Sequence, residues 1–142
     1  LSFTTEEISR LINSNQTSSI HETVFPTIPE KWKNIKLLEK WEKLINIRQK
    51  VNIAIEEKRA SKIIGSSLEA DVNISLPKNE FDILQETDPN ELFITSNVSS
   101  NISKDNKEII IVKKANGTKC IRCWKIVKEV KESKCNRCSQ IK

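Results

Sequence analysis

Cys120, Cys123, Cys135 and Cys138 are the only cysteines in the chain, and they stand as two Cys-x-x-Cys pairs with eleven residues between them. Two thiolates spaced this way reach one metal across a tight turn, and two such pairs close a tetrahedral four-sulfur shell of the kind that holds structural Zn²⁺. A closed shell leaves no position for water or substrate, so the metal holds structure and performs no chemistry. The module sits at residues 117–142, where there is almost no apolar mass, and the metal takes the place of a core. Disulfides and redox Cys-x-x-Cys motifs are the other readings. The chain has no signal-peptide pattern and no apolar run long enough to span a membrane, so cysteine confined to two close pairs reads as cytosolic. Two redox motifs so close together fit a shared metal better. The expectation is one structural zinc per chain.

Charge points to the same module. Residues 118–142 carry eight basic side chains (Lys119, Arg122, Lys125, Lys128, Lys131, Lys134, Arg137, Lys142) against Glu129 and Glu132. The formal net charge of the whole chain is +5, so the basic excess lies entirely in this module and the rest is close to neutral. Four thiolates and one Zn²⁺ remove two charges and leave the module basic. A rigid basic module carrying Trp124 among lysines is the footprint of a nucleic-acid contact; a solvated basic tail is the alternative.

Upstream, residues 3–12 read as a helix, with Thr4 and Glu7 at capping-box spacing and Ile8, Leu11 and Ile12 on one face. Residues 20–29 contain two prolines and read as an irregular connection. The longest periodic segment is 35–61, where Leu37, Trp41, Leu44, Arg48, Val51 and Ile55 recur at steps of three and four, and Leu38 and Ile45 widen the stripe. It predicts a long amphipathic helix packed on other helices, ended at Gly65. Alternation of Ala70, Val72, Ile74 and Leu76 with polar residues predicts a strand with one wet face. A short helix over 80–85 capped by Asn79 follows, then strands at 92–98 and 108–113 joined as a loose hairpin. The fold class is α+β, with residues 1–65 the end of a helical bundle, 66–116 a small strand-rich α+β unit, and 117–142 a four-cysteine zinc knuckle. Leu1 opens directly into an amphipathic segment and methionine is absent, so the chain reads as the C-terminal piece of a longer protein.

No catalytic constellation emerges. His21 is the only histidine, no nucleophile is marked beside it, and it reads as a hydrogen-bonded structural residue. Gly65 and Gly117 are the only glycines, which excludes a phosphate-cradling loop. Glu56, Glu57, Lys58 and Arg59 read as a solvated helix face. The segment binds or supports.

Two stretches carry a family resemblance. Arg48-x-x-Val51-x-x-Ala54-Ile55-Glu56-x-x-Arg59, with Lys62-Ile63-Ile64-Gly65-Ser66-Ser67-Leu68-Glu69-Ala70 after it, resembles the C-terminal region of bacterial isoleucyl-tRNA synthetases. So do Phe3-Thr4-x-x-Glu7-Ile8 and Ser19-Ile20-His21 running into Phe25-Pro26. Lys114-Ala115-x-Gly117-x-Lys119-Cys120-x-Arg122-Cys123-Trp124, with Cys135-x-Arg137-Cys138 beyond, is similar to that family's terminal zinc knuckle. The resemblance is co-linear over essentially the whole chain.

It implies residues that complete an anticodon-binding domain, a tRNA(Ile) partner, no membrane, and a monomeric cytoplasmic parent that uses ATP and Mg²⁺ at catalytic and editing sites absent from these residues. By position it implies tRNA contacts at Arg122, Trp124, Lys125 and Arg137, with Arg48 and Arg59 as backbone contacts. Trp124 either stacks on an unpaired base or packs against the neck of the zinc module. Arg48 and Arg59 either meet phosphate or pair with Glu56 or Glu69. Two other classes compete: the four-cysteine finger of a DNA glycosylase of the formamidopyrimidine type, whose N-terminal proline chemistry and helical pattern do not match residues 48–70, and a stand-alone zinc module for protein contact.

Overall fold

Helical period, alternation and the cysteine turns divide the described residues, 1–15 and 17–141 of this computed structural model, into five helices and seven strands. Gln16 and Lys142 lie outside the described residues, and with Lys142 goes one of the eight basic side chains counted above. Two compact units result, Leu1–Asn34 and Ile35–Lys142.

The first unit is helix α1 (Ser2–Ile12) with two single 3₁₀ turns, Ile20–Glu22 and Glu30–Trp32. The Thr4–Glu7 capping box does not form. The helix starts earlier, at Ser2, so Thr4 is already inside it, and its neighbour Thr5 bonds back to the Leu1 and Ser2 carbonyls. Glu6 joins helix to turn instead, accepting from Ser19 Oγ at 2.7 Å and Ile20 N at 3.1 Å. His21 is hydrogen-bonded, its Nε2 lying 3.0 Å from the Ser2 carbonyl.

In the second unit, α2 (Ile35–Ala60) follows the predicted long helix, but the buried stripe differs. Leu44, Ile47, Val51 and Ile55 are buried, at steps of three and four, while Leu37, Leu38, Trp41 and Ile45 are exposed. The buried stripe begins at Leu44, and Ile47 takes the core position beside Arg48, which is only half-buried. The helix stops on Lys62, in the left-handed region at φ 57, with Ile63 N donating to Lys58 O and Lys62 N to Arg59 O. That pair of bonds is a Schellman motif. Gly65 lies beyond it in a loop, where its N–H donates to Glu69 Oε2.

The sheet has three strands, β1 (Ala70–Leu76), β2 (Asn97–Ile102) and β3 (Ile109–Lys114), in the order β2-β1-β3. β1 alternates as its sequence predicts, burying Ala70, Val72, Ile74 and Leu76. The predicted hairpin does not exist: β2 runs parallel to β1 with Val72 opposite Val98, and β3 runs antiparallel on the other side with Val72 opposite Val112. Parallel neighbours need a crossover, and residues 77–96 supply it through α3 (Lys78–Gln85) and α4 (Pro89–Phe93).

Asn79 is inside α3, whose cap is Pro77. Residues 92–93 are helical because Asp88 accepts from Asn90 N and Pro89 takes the first helical position, where its missing N–H costs nothing. Residues 99–102, read as loop, are strand. β2 (Asn-Val-Ser-Ser-Asn-Ile) is an edge strand held by pairing more than by burial. Phe93 and Leu84 complete a single core with the sheet and α2.

Residues 118–139 form two miniature hairpins and a final turn of helix: β4 (Thr118–Lys119) with β5 (Ile126–Val127), β6 (Val130–Lys131) with β7 (Lys134–Cys135), then α5 (Asn136–Ser139). No helix of the described residues is long and apolar enough to cross a membrane.

Candidate metal centre and nucleic-acid interface

Each cysteine pair is fixed by its own backbone. After β4 the chain turns sharply, with Trp124 N donating to Cys120 O at 2.9 Å and Cys120 N to Lys125 O at 3.0 Å. Closing that turn puts Trp124 in the left-handed region at φ 65. The second pair follows a two-residue turn in which Glu132 and Ser133 both have positive φ, 47 and 65. That combination is the type I′ geometry whose twist suits a tight hairpin. Cys135 ends β7 and Cys138 rides on α5. Ile121 N donates to Ser133 O at 3.0 Å and joins the two halves.

The four Sγ atoms converge within 4.8 Å of one another, and Cys123 and Cys135 Sγ are 3.7 Å apart. A zinc tetrahedron with metal–sulfur bonds of about 2.3 Å has sulfur–sulfur edges of about 3.8 Å. The spacing suits a shared cation and is far from a disulfide bond of about 2.05 Å. All four thiols are free, and Cys120, Cys135 and Cys138 are buried.

Their electrostatics also suit a cation. Backbone N–H groups of Cys123 and Cys135, helped by that of Arg122, hold the Cys120 thiol down at about 6. Burial, together with the neighbouring sulfurs, pushes Cys138 up to about 12, and burial also raises Cys123. One sulfur is ready to ionise and its crowded neighbours resist doing so unless positive charge arrives among them. The residues present fit a metal.

Around this centre the candidate contact residues separate. Arg122 donates through Nη1 to the Ile141 carbonyl at 2.8 Å and to that of Cys138 at 3.3 Å, so it binds the end of α5 into the module. Trp124 is 60% exposed: its Nε1–H is anchored on Ile121 O at 3.1 Å, and Lys119 Nζ lies 5.9 Å from the ring centroid. The ring is pinned by its edge while most of its surface stays open to solvent. Lys125 is half-buried, and Arg137 reaches Glu91 on α4 at 3.3 Å.

Arg59 pairs with Glu56 at 2.6 Å on the solvated end of α2. Arg48, half-buried, lines a shallow groove with Trp41, Thr87, Asp88, Glu91 and Ile94. The structure thus gathers Arg122, Trp124, Lys125 and Arg137 on the module and leaves Arg48 and Arg59 on α2. Lys119 and Ser96 were not among the residues singled out from the sequence. Lys119 had its place in the basic count and in the knuckle motif, and Ser96 has no local signal.

Comparison with known proteins bears on most of the chain. Residues 1–74 match the model of the anticodon-binding domain of tRNA ligase. An isoleucine–tRNA ligase of Pelagibacter ubique is 50% identical over 128 residues, covering 89% of this chain and 14% of that protein. Isoleucine–tRNA ligases of Bradyrhizobium diazoefficiens (41% over 137 residues) and Thermotoga maritima (37% over 140 residues) cover 89% and 88% of the chain. The chain spans 14–15% of the length of these curated relatives. The family match covers the helical residues that neither a glycosylase finger nor a stand-alone zinc module accounts for.

Proposed function

The chain belongs to the family of anticodon-binding domains of tRNA ligases, and from this premise we propose that it is the tRNA-binding region of an ATP-dependent isoleucine–tRNA ligase. Its role there is to recognise the anticodon end of tRNA(Ile), while adenylation with ATP and Mg²⁺ belongs to other parts of such a ligase. In this reading residues 1–65 complete the helical anticodon-binding part. Residues 66–116 form the strand-rich support with which α2 shares its core, and 117–142 are the knuckle. Cys120, Cys123, Cys135 and Cys138 hold one Zn²⁺, which supplies rigidity. The parent is a monomeric cytoplasmic enzyme.

The observation that carries the reading is Trp124, a large ring 60% exposed on a basic module whose core is four sulfurs. An unpaired base stacked on such a ring contributes about 1–3 kcal/mol. Arg122 is engaged with the carbonyls of its own module and supports the surface from beneath; Lys119, Lys125 and Arg137 supply its charge. Binding of tRNA(Ile) and non-cognate tRNA transcripts tests the proposal. The zinc-loaded chain should prefer tRNA(Ile), and Trp124→Ala should weaken binding about five- to a hundredfold, since each 1.4 kcal/mol is tenfold. Equal affinity for all transcripts, unaffected by Trp124→Ala, would overturn the reading.

A further inference from the structure

Ser96 stands where the sheet meets the four-cysteine module. Its N–H donates to Ala70 O at 3.2 Å at the start of β1. Its hydroxyl donates to Leu68 O at 2.5 Å and accepts from Ile126 N on β5 at 2.6 Å. One half-buried side chain therefore joins three segments: the entry to β1, the end of the crossover, and the first hairpin of the module.

The backbone leading to it is strained. α4 ends on Ile94 at φ 55, where Ile94 N donates to Glu91 O and Thr95 N to Asn90 O. This is a second Schellman motif, with a β-branched residue in the position that normally takes glycine. Thr95 is fully buried behind it. The reversal at Ile94 delivers Ser96 Oγ to the junction. Two charge pairs across it are weaker links. Arg137 and Glu91, 3.3 Å apart, are both mostly exposed, and such pairs contribute little in water. Lys125 and Asp88 attract each other across the same junction.

We infer that Ser96 is a positioning residue for RNA recognition: its hydroxyl fixes the zinc module in one orientation on the sheet, so that the Trp124 ring is presented at a set place relative to α2. The inference rests on the tRNA reading above. Without this hydroxyl the module keeps its sulfur cluster and its own hairpins, and loses its angle. Ser96→Ala removes both hydroxyl bonds and leaves the Ser96 N–H to Ala70 untouched, while Ser96→Thr keeps the hydroxyl.

The test uses the zinc-loaded 142-residue chain and its Ser96→Ala and Ser96→Thr variants, with residual dipolar couplings of backbone amides and affinity for a tRNA(Ile) transcript as readouts. Amides of β1–β3 and of the module should fit one alignment tensor in the wild type and in Ser96→Thr, and need two in Ser96→Ala. Bound zinc should stay at one per chain in all three. RNA affinity should fall about two- to tenfold in Ser96→Ala, the scale of a lost hydrogen bond, and recover in Ser96→Thr. A single tensor in Ser96→Ala, or two already in the wild type, overturns the lock. Two tensors with unchanged RNA affinity overturn the positioning role. A wild type that fits one tensor and binds no tRNA overturns the tRNA reading itself, and the tensor result tells that failure from failure of the lock.

Discussion

Gly117→Ala should cost the module most of its grip on metal while leaving the sheet unit folded. Gly117 has φ 143, and a Cβ built there would lie 2.5 Å from Val127 O and 2.6 Å from Val127 C. These are backbone atoms of the strand that pairs with the residue next door, since Thr118 stands opposite Val127. Relief therefore requires either a change of φ at 117 or a shift of β5, and both spread the first hairpin on which Cys120 is carried. A side chain forced into glycine-only backbone costs about 1–3 kcal/mol, and with the displaced strand the total is about 2–4 kcal/mol. In small zinc modules, metal binding and folding are one equilibrium. The penalty falls on the folded, metal-bound form alone, so it appears in full as lost affinity of about thirty- to a thousandfold. Competition against a chromophoric chelator at fixed pH measures this directly. The core of Leu44, Val72, Ile74 and Phe93 is a separate cluster from the sulfurs, so the main unfolding transition should hardly move. Zinc affinity within threefold of the wild type would refute the reasoning, because it would mean that β5 yields at no cost.

Two further outcomes concern α2 and the sheet unit with which it shares a core. Leu44, fully buried at the centre of α2, should lose about 2–5 kcal/mol on substitution to Ala, read as a lower urea midpoint at unchanged slope. Glu80 is raised above its ordinary 4.5 by burial and by the neighbouring Glu108 carboxylate, and its Oε2 has no hydrogen-bond partner among the described residues. A raised carboxyl in the folded state binds a proton more tightly there than when unfolded, so its contribution to stability falls as pH rises from about 4.5 through the folded value. Glu80→Gln should therefore raise the midpoint at pH 7 and have no such effect at pH 4. An equal gain at both pH values would exclude this cause.

The features legible in the sequence are those whose cause is local. Two Cys-x-x-Cys pairs carry their chemistry in the spacing, and β1 announces itself because one face of it meets a core at every second residue. The length of α2 was readable for the same reason, but its buried face was not. Ile47 and Arg48 are adjacent, and only the position of the sheet decides which of them turns inward. β2 looks like a loop in the sequence because its stability comes from hydrogen bonds to β1 and not from an apolar pattern in its serines and asparagines. The crossover helix at Pro89–Phe93 had a readable start in Asp88-Pro89, outweighed by the β-forming residues that follow. Arg122 could not be read from its neighbours, since its partners, Cys138 O and Ile141 O, lie 16 and 19 residues away. Ser96 is the extreme case, an ordinary serine whose importance lies wholly in what two distant segments bring to it.

The division between sulfur core and apolar core also bears on what the module's surface is free to do. In the sheet unit, Phe93 and Leu84 are consumed in filling space between α2 and the strands. In the module the interior is three buried cysteines with Cys123 and Val127 against them, so no aromatic ring is needed inside. Trp124 and Ile121 are exposed there at 60% and 62%. Exposure of a ring this large runs against burial of about 25 cal/mol per Å² of apolar surface, and it sits on a residue already strained at φ 65. A module that needed Trp124 only for folding would have gained by placing glycine at that turn and the ring elsewhere. A cation held by the four sulfurs would supply the stability that lets a strained, exposed tryptophan persist. Two costs converging on one residue beside Lys119 are what favours the proposal that Trp124 is a contact surface rather than a packing residue.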